Sequence, residues 1–265
     1  MNNMERITQD IFLLKIPFMS VFTSVFIIRK GNELTVYDSA TTKEDVQNYI
    51  LPAISEFEKD GCKVKRIVIS HFHGDHSGGL KELSDHFAKA DIYVGSKTHY
   101  NEAEYPHMVE VTDGENIDND VYLYRLPGHS HDCVAIFDSS TKTLLTADAF
   151  QGFGIMQYGV NGDIDAWMDS IKRVKEMDVE QLITSHDYFA LGQTALGKEN
   201  VIRYLDSCKD AFREIFDFDE SCRKKGLTDN AEIARLFCEQ KKKAFSDFPT
   251  IHGACFENVR KHFIK

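Results

Sequence analysis

His71-Phe72-His73-Gly74-Asp75-His76 places four metal-binding side chains within six positions. It follows Val64-Lys65-Arg66-Ile67-Val68-Ile69-Ser70, an apolar, β-branched run that reads as a strand running directly into His71. His71 and His73 alternate, so an extended backbone points both imidazoles the same way. Gly74 then lets the chain turn sharply, which brings Asp75 and His76 into the same loop. One short loop can thus serve two ions a few ångströms apart. Imidazole and carboxylate donors favour zinc and also suit iron or manganese. The competing reading is a hydrated surface loop that happens to be rich in histidine, and the buried strand before it argues against that. A strand, a loop carrying chemistry and a helix over residues 79–88 form an arrangement common at α/β sites.

Toward the N-terminus, three strands are expected, over residues 7–16, 21–28 and 34–37. Asp38-Ser39 ends the third, and Thr41-Thr42-Lys43-Glu44-Asp45 reads as a helix start. Val46, Ile50, Ile54 and Phe57 recur every three or four positions, which predicts one buried helix face. Beyond the histidine loop, strands are expected over 92–94, 121–126, 134–137 and 144–146. Asp163 opens a helix with Ile164, Trp167, Met168, Ile171 and Val174 on one face. Residues 182–184 form a short strand that delivers His186. From about residue 198 the pattern is helical. Its stripes are Val201, Ile202, Leu205, Phe212 and Ile215, then Ile233, Leu236 and Phe237, then Ile251, Cys255, Val259 and Phe263. No linker and no short-period repeat interrupts the chain.

The bulk numbers bound the function. The chain has 265 residues, 42% hydrophobic and 28% charged, the profile of an ordinary globular protein. Its net charge of −11 lowers the expectation of a nucleic-acid partner, which is normally met by clustered Lys and Arg. Cys62, Cys133, Cys208, Cys222, Cys238 and Cys255 form no Cys-x-x-Cys pair, and reduced, buried thiols are the better reading. The apolar run 16–28 lacks a basic start and a cleavage site, is too short to span a bilayer, and reads as a strand. A cytoplasmic protein without a membrane partner is therefore expected.

With Ser77-Gly78-Gly79 behind it, the histidine loop resembles the His-x-His-x-Asp-His signature of the metallo-β-lactamase superfamily. Four further segments resemble the remaining motifs, in order: Val36-Tyr37-Asp38-Ser39, Leu126-Pro127-Gly128-His129, Leu145-Thr146-Ala147-Asp148 and Thr184-Ser185-His186. The resemblance spans residues 7 to about 190. It implies an α/β (α+β) fold, the four-layer αββα sandwich. Residues 1–197 would form the catalytic domain, and residues 198–265 a helical C-terminal extension packed on it. It also implies that His71, His73 and His129 bind one metal, that Asp75, His76 and His186 bind a second, and that Asp148 bridges the two. Asp38 would hold the ligand loop by hydrogen bonds without touching metal; a turn cap is the plainer alternative.

The resemblance implies a dinuclear metal-dependent hydrolase with two divalent ions, Zn2+ by preference and Fe or Mn otherwise. Two ions sharing a water lower its pKa from near 16 towards about 7. The metal-bridging hydroxide then attacks a small ester, lactone, thioester or similar substrate, with Asp75 orienting the nucleophile or carrying its proton. Departures narrow the choice. Many relatives read Thr-Pro-Gly after the third-motif histidine, where this chain has Ser130-His131-Asp132; His131 either lines the site or bonds the backbone. Asp148 stands where true β-lactamases often place a cysteine, which counts against that activity. The segment Ala149-Phe150-Gln151-Gly152-Phe153-Gly154 lacks the basic glutathione-binding character of glyoxalase II. Phe150, Gln151, Phe153, Tyr158 and Tyr188 are candidates for a neutral, partly aromatic pocket, with core packing the alternative for the phenylalanines. Two other readings stay open. One is a mononuclear non-haem iron redox enzyme like the persulfide dioxygenases; the other is a non-catalytic binding protein of the same fold. The expected partner is a small molecule, and the oligomeric state is open.

Overall fold

Alternation along the strands builds the architecture. In the computed structural model, which describes residues 4–18, 21–150, 162–186, 192–240 and 249–265, the first sheet runs in chain order. Its strands are β1 (Met4–Arg6), β2 (Ile11–Phe18), β3 (Val21–Lys30), β4 (Glu33–Tyr37), β5 (Lys63–Val68), β6 (Asp91–Val94) and β7 (Met108–Glu110). Strands β1 to β4 pair antiparallel and β4 to β7 parallel. Parallel neighbours need a crossover. Between β4 and β5 it is α1 (Lys43–Asp45), a π turn (Val46–Ile50) and α2 (Leu51–Lys59). Between β5 and β6 it is α3 (Gly74–Ser77) and α4 (Leu80–His86).

The second sheet holds β8 (Glu115–Asp118), β9 (Val121–Arg125), β10 (Val134–Asp138), β11 (Thr143–Ala147), β12 (Gln181–Thr184) and β13 (Thr194–Leu196). Its spatial order is also sequential. The one parallel pair, β11 with β12, is joined across a stretch containing α5 (Ile164–Glu176). Helices α6 (Lys198–Lys224), α7 (Asn230–Gln240) and α8 (Pro249–Phe263) follow.

Because side chains alternate, each inner strand feeds two cores. Val25 and Ile27 of β3 join Val46, Ile50, Ile54 and Phe57 of the first helical layer. Phe26 and Ile28 join Val134, Ile136 and Leu145 of the opposite sheet. Ala135, Phe137, Leu144 and Leu182 pack outward on Trp167 of α5, Phe212 of α6, Phe237 of α7 and Phe256 of α8. Helix, sheet, sheet and helix are thus stacked in four layers, as the resemblance implied. Of the α5 stripe, Ile164, Trp167, Ile171 and Val174 are buried as the spacing predicts and Met168 is half-buried, and Asp163 caps the helix by accepting from Ala166 N. All six cysteines are buried.

Three local expectations are corrected. The strand expected over 7–16 begins only at Ile11, because Thr8 Oγ1 accepts from both Asp10 N and Ile11 N and turns the chain between β1 and β2. Gly74 sits at the start of α3 rather than at a sharp turn. The glycines that matter are Gly78 and Gly79, where a Cβ would come 2.0 Å from Thr41 O and 2.1 Å from Ser39 O. The short strands β7, β8 and β13 were not expected from the sequence.

Candidate metal centre

The site forms where strand ends from both sheets meet. Ser70 to His76 follow β5, and Asp38 follows β4. The β9–β10 loop supplies His129, the end of β11 supplies Asp148 and the end of β12 supplies His186. Each segment is held in place. Ser39 donates through its N and its Oγ to His76 O, at 2.8 and 2.9 Å. Asp163 N donates to Gly128 O and Ser170 Oγ to Pro127 O, so α5 fixes the loop before His129. Gln193 Nε2 donates to Thr184 O at 2.6 Å, steadying the turn that presents His186.

Two groups of side chains converge. His71, His73 and His129 form one; Asp75, His76, Asp148 and His186 form the other. In the first, His73 Nδ1 lies 2.9 Å from both His71 Nε2 and His129 Nε2, so three ring nitrogens face a common point. In the second, His186 Nε2 is 3.2 Å from Asp75 Oδ2 and from Asp148 Oδ1. His76 Nε2 is 3.3 Å from Asp75 Oδ2 and 3.5 Å from Asp148 Oδ2. Asp148 Oδ2 is also 3.7 Å from His129 Nε2, so this carboxylate reaches both groups.

Three of the far ring nitrogens are tied down. His76 Nδ1 pairs with Asp38 Oδ2 at 2.8 Å, His186 Nδ1 donates to Phe22 O at 2.6 Å, and His71 Nδ1 lies 3.0 Å from Ser70 Oγ. Such anchoring fixes the tautomer and aims the opposite nitrogen inward. Asp38 accepts from Ser70 N at 2.7 Å and from Ser70 Oγ at 2.9 Å, making a fully buried hub behind both ligand groups. Ser70 carries no sequence signal of its own, yet it links Asp38 to His71.

Electrostatics divide the two groups. Burial, aided by neighbouring rings, pushes His71 well below the ordinary histidine value. Burial also lowers His73, and it brings His129 down to about 4. These imidazoles are neutral at pH 7, with lone pairs to offer. Burial opposes charge on His76 too, but Asp75, Asp148 and Asp38 outweigh it and hold His76 well above the usual range. His186 is likewise raised, against burial, to about 9, chiefly by Asp148. Burial also works against the carboxylates of Asp75 and Asp148, yet the adjacent His76 and His186 keep both far below the usual range.

The donor set fits divalent metal ions. His76 Nε2 is buried with no hydrogen-bond partner among the described residues, which is costly unless something else satisfies it. Three nitrogens facing one point, with oxygens and nitrogens beside them, match ligands of zinc, iron or manganese.

The other expected site residues fall as follows. His131 is exposed, with its ring against His99 and Phe72. Phe150 is wholly buried against Trp167, and its carbonyl accepts from Tyr204 Oη, so it packs behind the site rather than lining a pocket. Gln151, Phe153, Tyr158 and Tyr188 lie outside the described residues. Burial pushes the Cys133 thiol up to about 12; it sits 3.2 Å from Ser130 Oγ and outside both ligand groups.

Comparison with known proteins agrees with this fold. Residues 20–186 match the family described as the metallo-beta-lactamase superfamily. A Caenorhabditis elegans "Beta-lactamase-like protein 2 homolog" is 25% identical over 253 residues, covering 92% of this chain and 78% of that protein. A Francisella philomiragia "Hydroxyacylglutathione hydrolase" is 28% identical over 140 residues, covering 51% of this chain and 54% of its own. A Passalora fulva "Atrochrysone carboxyl ACP thioesterase" is 20% identical over 167 residues, covering 62% and 48%. The crystal structure of DIM-1 metallo-beta-lactamase superposes with a TM-score of 0.63 at 16% identity, covering 78% of this chain and 97% of that one.

Proposed function

We propose, from the premise that this chain belongs to the metallo-beta-lactamase superfamily, that it is a dinuclear metal-dependent hydrolase acting on a small ester, lactone or thioester. The observation that carries the reading is the position of Asp148, within 3.7 Å of a ring nitrogen of the first group and 3.2 Å of one in the second. His71, His73 and His129 would hold one ion, Asp75, His76 and His186 the other, and Asp148 both. Zinc is the ion the donors favour.

Bound there, such ions supply Lewis acidity and a water acidic enough to act as a nucleophile near neutral pH. The chain's own residues do the rest. Asp75, strongly ionised and the more open of the two carboxylates, orients the attacking water and carries its proton to the leaving group. Asp38 and Ser70 keep the rings of His76 and His71 aimed inward. The buried faces of α6, α7 and α8, in the proposed extension 198–265, would back the proposed catalytic domain, 1–197, from its outer face. No described helix is long and apolar enough to cross a membrane, and we place the activity in the cytoplasm.

A relative named a thioesterase and one named a hydroxyacylglutathione hydrolase put thioesters first in the substrate screen. Elemental analysis of protein purified without added metal, paired with ester, lactone, thioester and phosphodiester substrates, tests the reading. Two ions per chain that are lost on replacing the central ligands, together with turnover of a carbonyl substrate, support it. A single iron with oxidation of a persulfide would replace it with the redox alternative. Full metal loading with no turnover of any substrate would favour a binding protein.

A further inference from the structure

We infer a third metal site, for a first-row divalent ion such as Zn2+, at the rim of the centre, formed by His99, His131 and Asp132. One ligand atom from each of these residues lies within 4.8 Å of the others. None of the three belongs to the seven-residue centre.

The histidines come from different segments. His99 ends a 3-10 turn, Lys97–His99, capped by Ser96, whose side chain accepts from Thr98 N. His131 and Asp132 lie in the β9–β10 loop, two and three residues beyond His129. Gly95 lets the segments meet, because a Cβ there would come 1.8 Å from Asp132 O. Phe72 stacks on His99 with ring centroids 4.0 Å apart and planes 12° from parallel, which fixes that imidazole.

Geometry and charge both point to a cation. His99 Nε2 and His131 Nε2 are 3.3 Å apart. A tetrahedral ion with zinc–nitrogen bonds of about 2.05 Å puts two ligand nitrogens about 3.3 Å from each other. Asp132 is 1% exposed, and its Oδ1 accepts from Ser130 Oγ at 2.6 Å. Its Oδ2 is buried with no hydrogen-bond partner among the described residues. A buried carboxylate oxygen is costly unless paired, and a cation held by the two exposed imidazoles supplies the pairing. Two imidazoles select a d-block ion over calcium or magnesium. Three protein ligands leave a position open to solvent. A bound ion would tie the 3-10 turn to the β9–β10 loop beside Phe72, whose sequence neighbours are His71 and His73.

The test counts ions. Full-length protein is stripped with a chelator, dialysed against sub-millimolar free Zn2+, and analysed for zinc per chain. Wild type is compared with the His99→Ala/His131→Ala double variant and with Asp132→Asn. Both histidines are exposed, so the double variant is expected to fold with an unchanged unfolding midpoint. It should bind one ion fewer than wild type, whatever number wild type binds. Asp132→Asn keeps a polar group for Ser130 and should raise the zinc concentration at which that last ion binds. Cobalt titration gives an independent reading: one component of the visible absorption present in wild type should be missing from the double variant. Equal zinc content in wild type and the double variant would overturn the inference while leaving the reading of the central site untouched.

Discussion

Metal binding at the second ligand group should be coupled to proton release, and the first group should not be. The perturbation is pH. A metal ion and a proton compete for the same Nε2, so a raised histidine pKa weakens binding at low pH, and affinity recovers as pH rises. His186 is held up to about 9, so at pH 7 its proton must be displaced at a cost of about 2.7 kcal/mol, roughly 100-fold in affinity. From pH 7 to pH 9 the second ion should therefore bind about 50-fold more tightly through His186 alone. His76, also raised, steepens the dependence. The first group behaves differently. His129 sits at about 4, with His71 and His73 lowered as well, so its affinity should be nearly flat from pH 6 upward. The assay is calorimetric titration of the metal-free His99→Ala/His131→Ala variant, which keeps only the two central ligand groups, with Zn2+ at pH 7, in two buffers of different ionisation enthalpy. The tighter phase should release essentially no protons from these imidazoles, and the weaker phase at least one per ion. Equal proton release in both phases, or a weaker phase whose affinity does not change between pH 7 and 9, would refute the electrostatic division of the site.

Other outcomes follow from named contacts. Asp148→Ala should lose activity that excess zinc does not restore. Asp38→Asn, which weakens the hold on His76 and Ser70, should lose about 10- to 100-fold and be rescued by zinc; equal rescue of both would displace Asp148 from the bridging role. Gly128→Ala should lower both the unfolding midpoint and the affinity of the first metal site, because a Cβ there would come 2.2 Å from Trp167 and push on the loop that carries His129; wild-type zinc affinity would contradict this. Trp167→Ala should cost about 3–5 kcal/mol in urea unfolding, since the ring is buried against Phe150 and against Phe212 of α6. In metal-free protein the raised His186 contributes stability that is fully present below about pH 6.5 and is lost as pH rises through about 9, so the melting temperature should fall across that window; a rise would refute the sign.

Much of the fold was legible because burial writes a period into the chain. Val46, Ile50, Ile54 and Phe57 are all buried, as are Ile164, Trp167, Ile171 and Val174, as their spacing required. The short strands carried no such signal. β7 has one buried residue in three and β13 likewise, and strand pairing to a neighbour, which no local pattern encodes, defines them. The seven candidate ligands were all named from motifs, and the structure brings them into two adjoining groups. Ser70 was not found, because a serine at a strand end looks like any other. His99 was missed for a related reason. It lies 32 residues from its neighbour His131, and only the close approach at Gly95 puts them together. Phe150 stays open between pocket and core in the sequence, because an aromatic residue beside a candidate ligand serves either, and the structure buries it.

The candidate ligands are divided between the two halves of the sandwich. His71, His73, Asp75 and His76 hang from the first sheet, and His129, Asp148 and His186 from the second. Any ion held as proposed would bind both halves at once and act as a reversible cross-link between them. By mass action, the folded state then gains stability with every increase in free metal above the dissociation constant. The amount of this protein that survives proteolysis in a cell would follow the local metal supply, before any substrate is encountered. Depletion would loosen the two sheets from one another at the edge where the proposed metal centre lies.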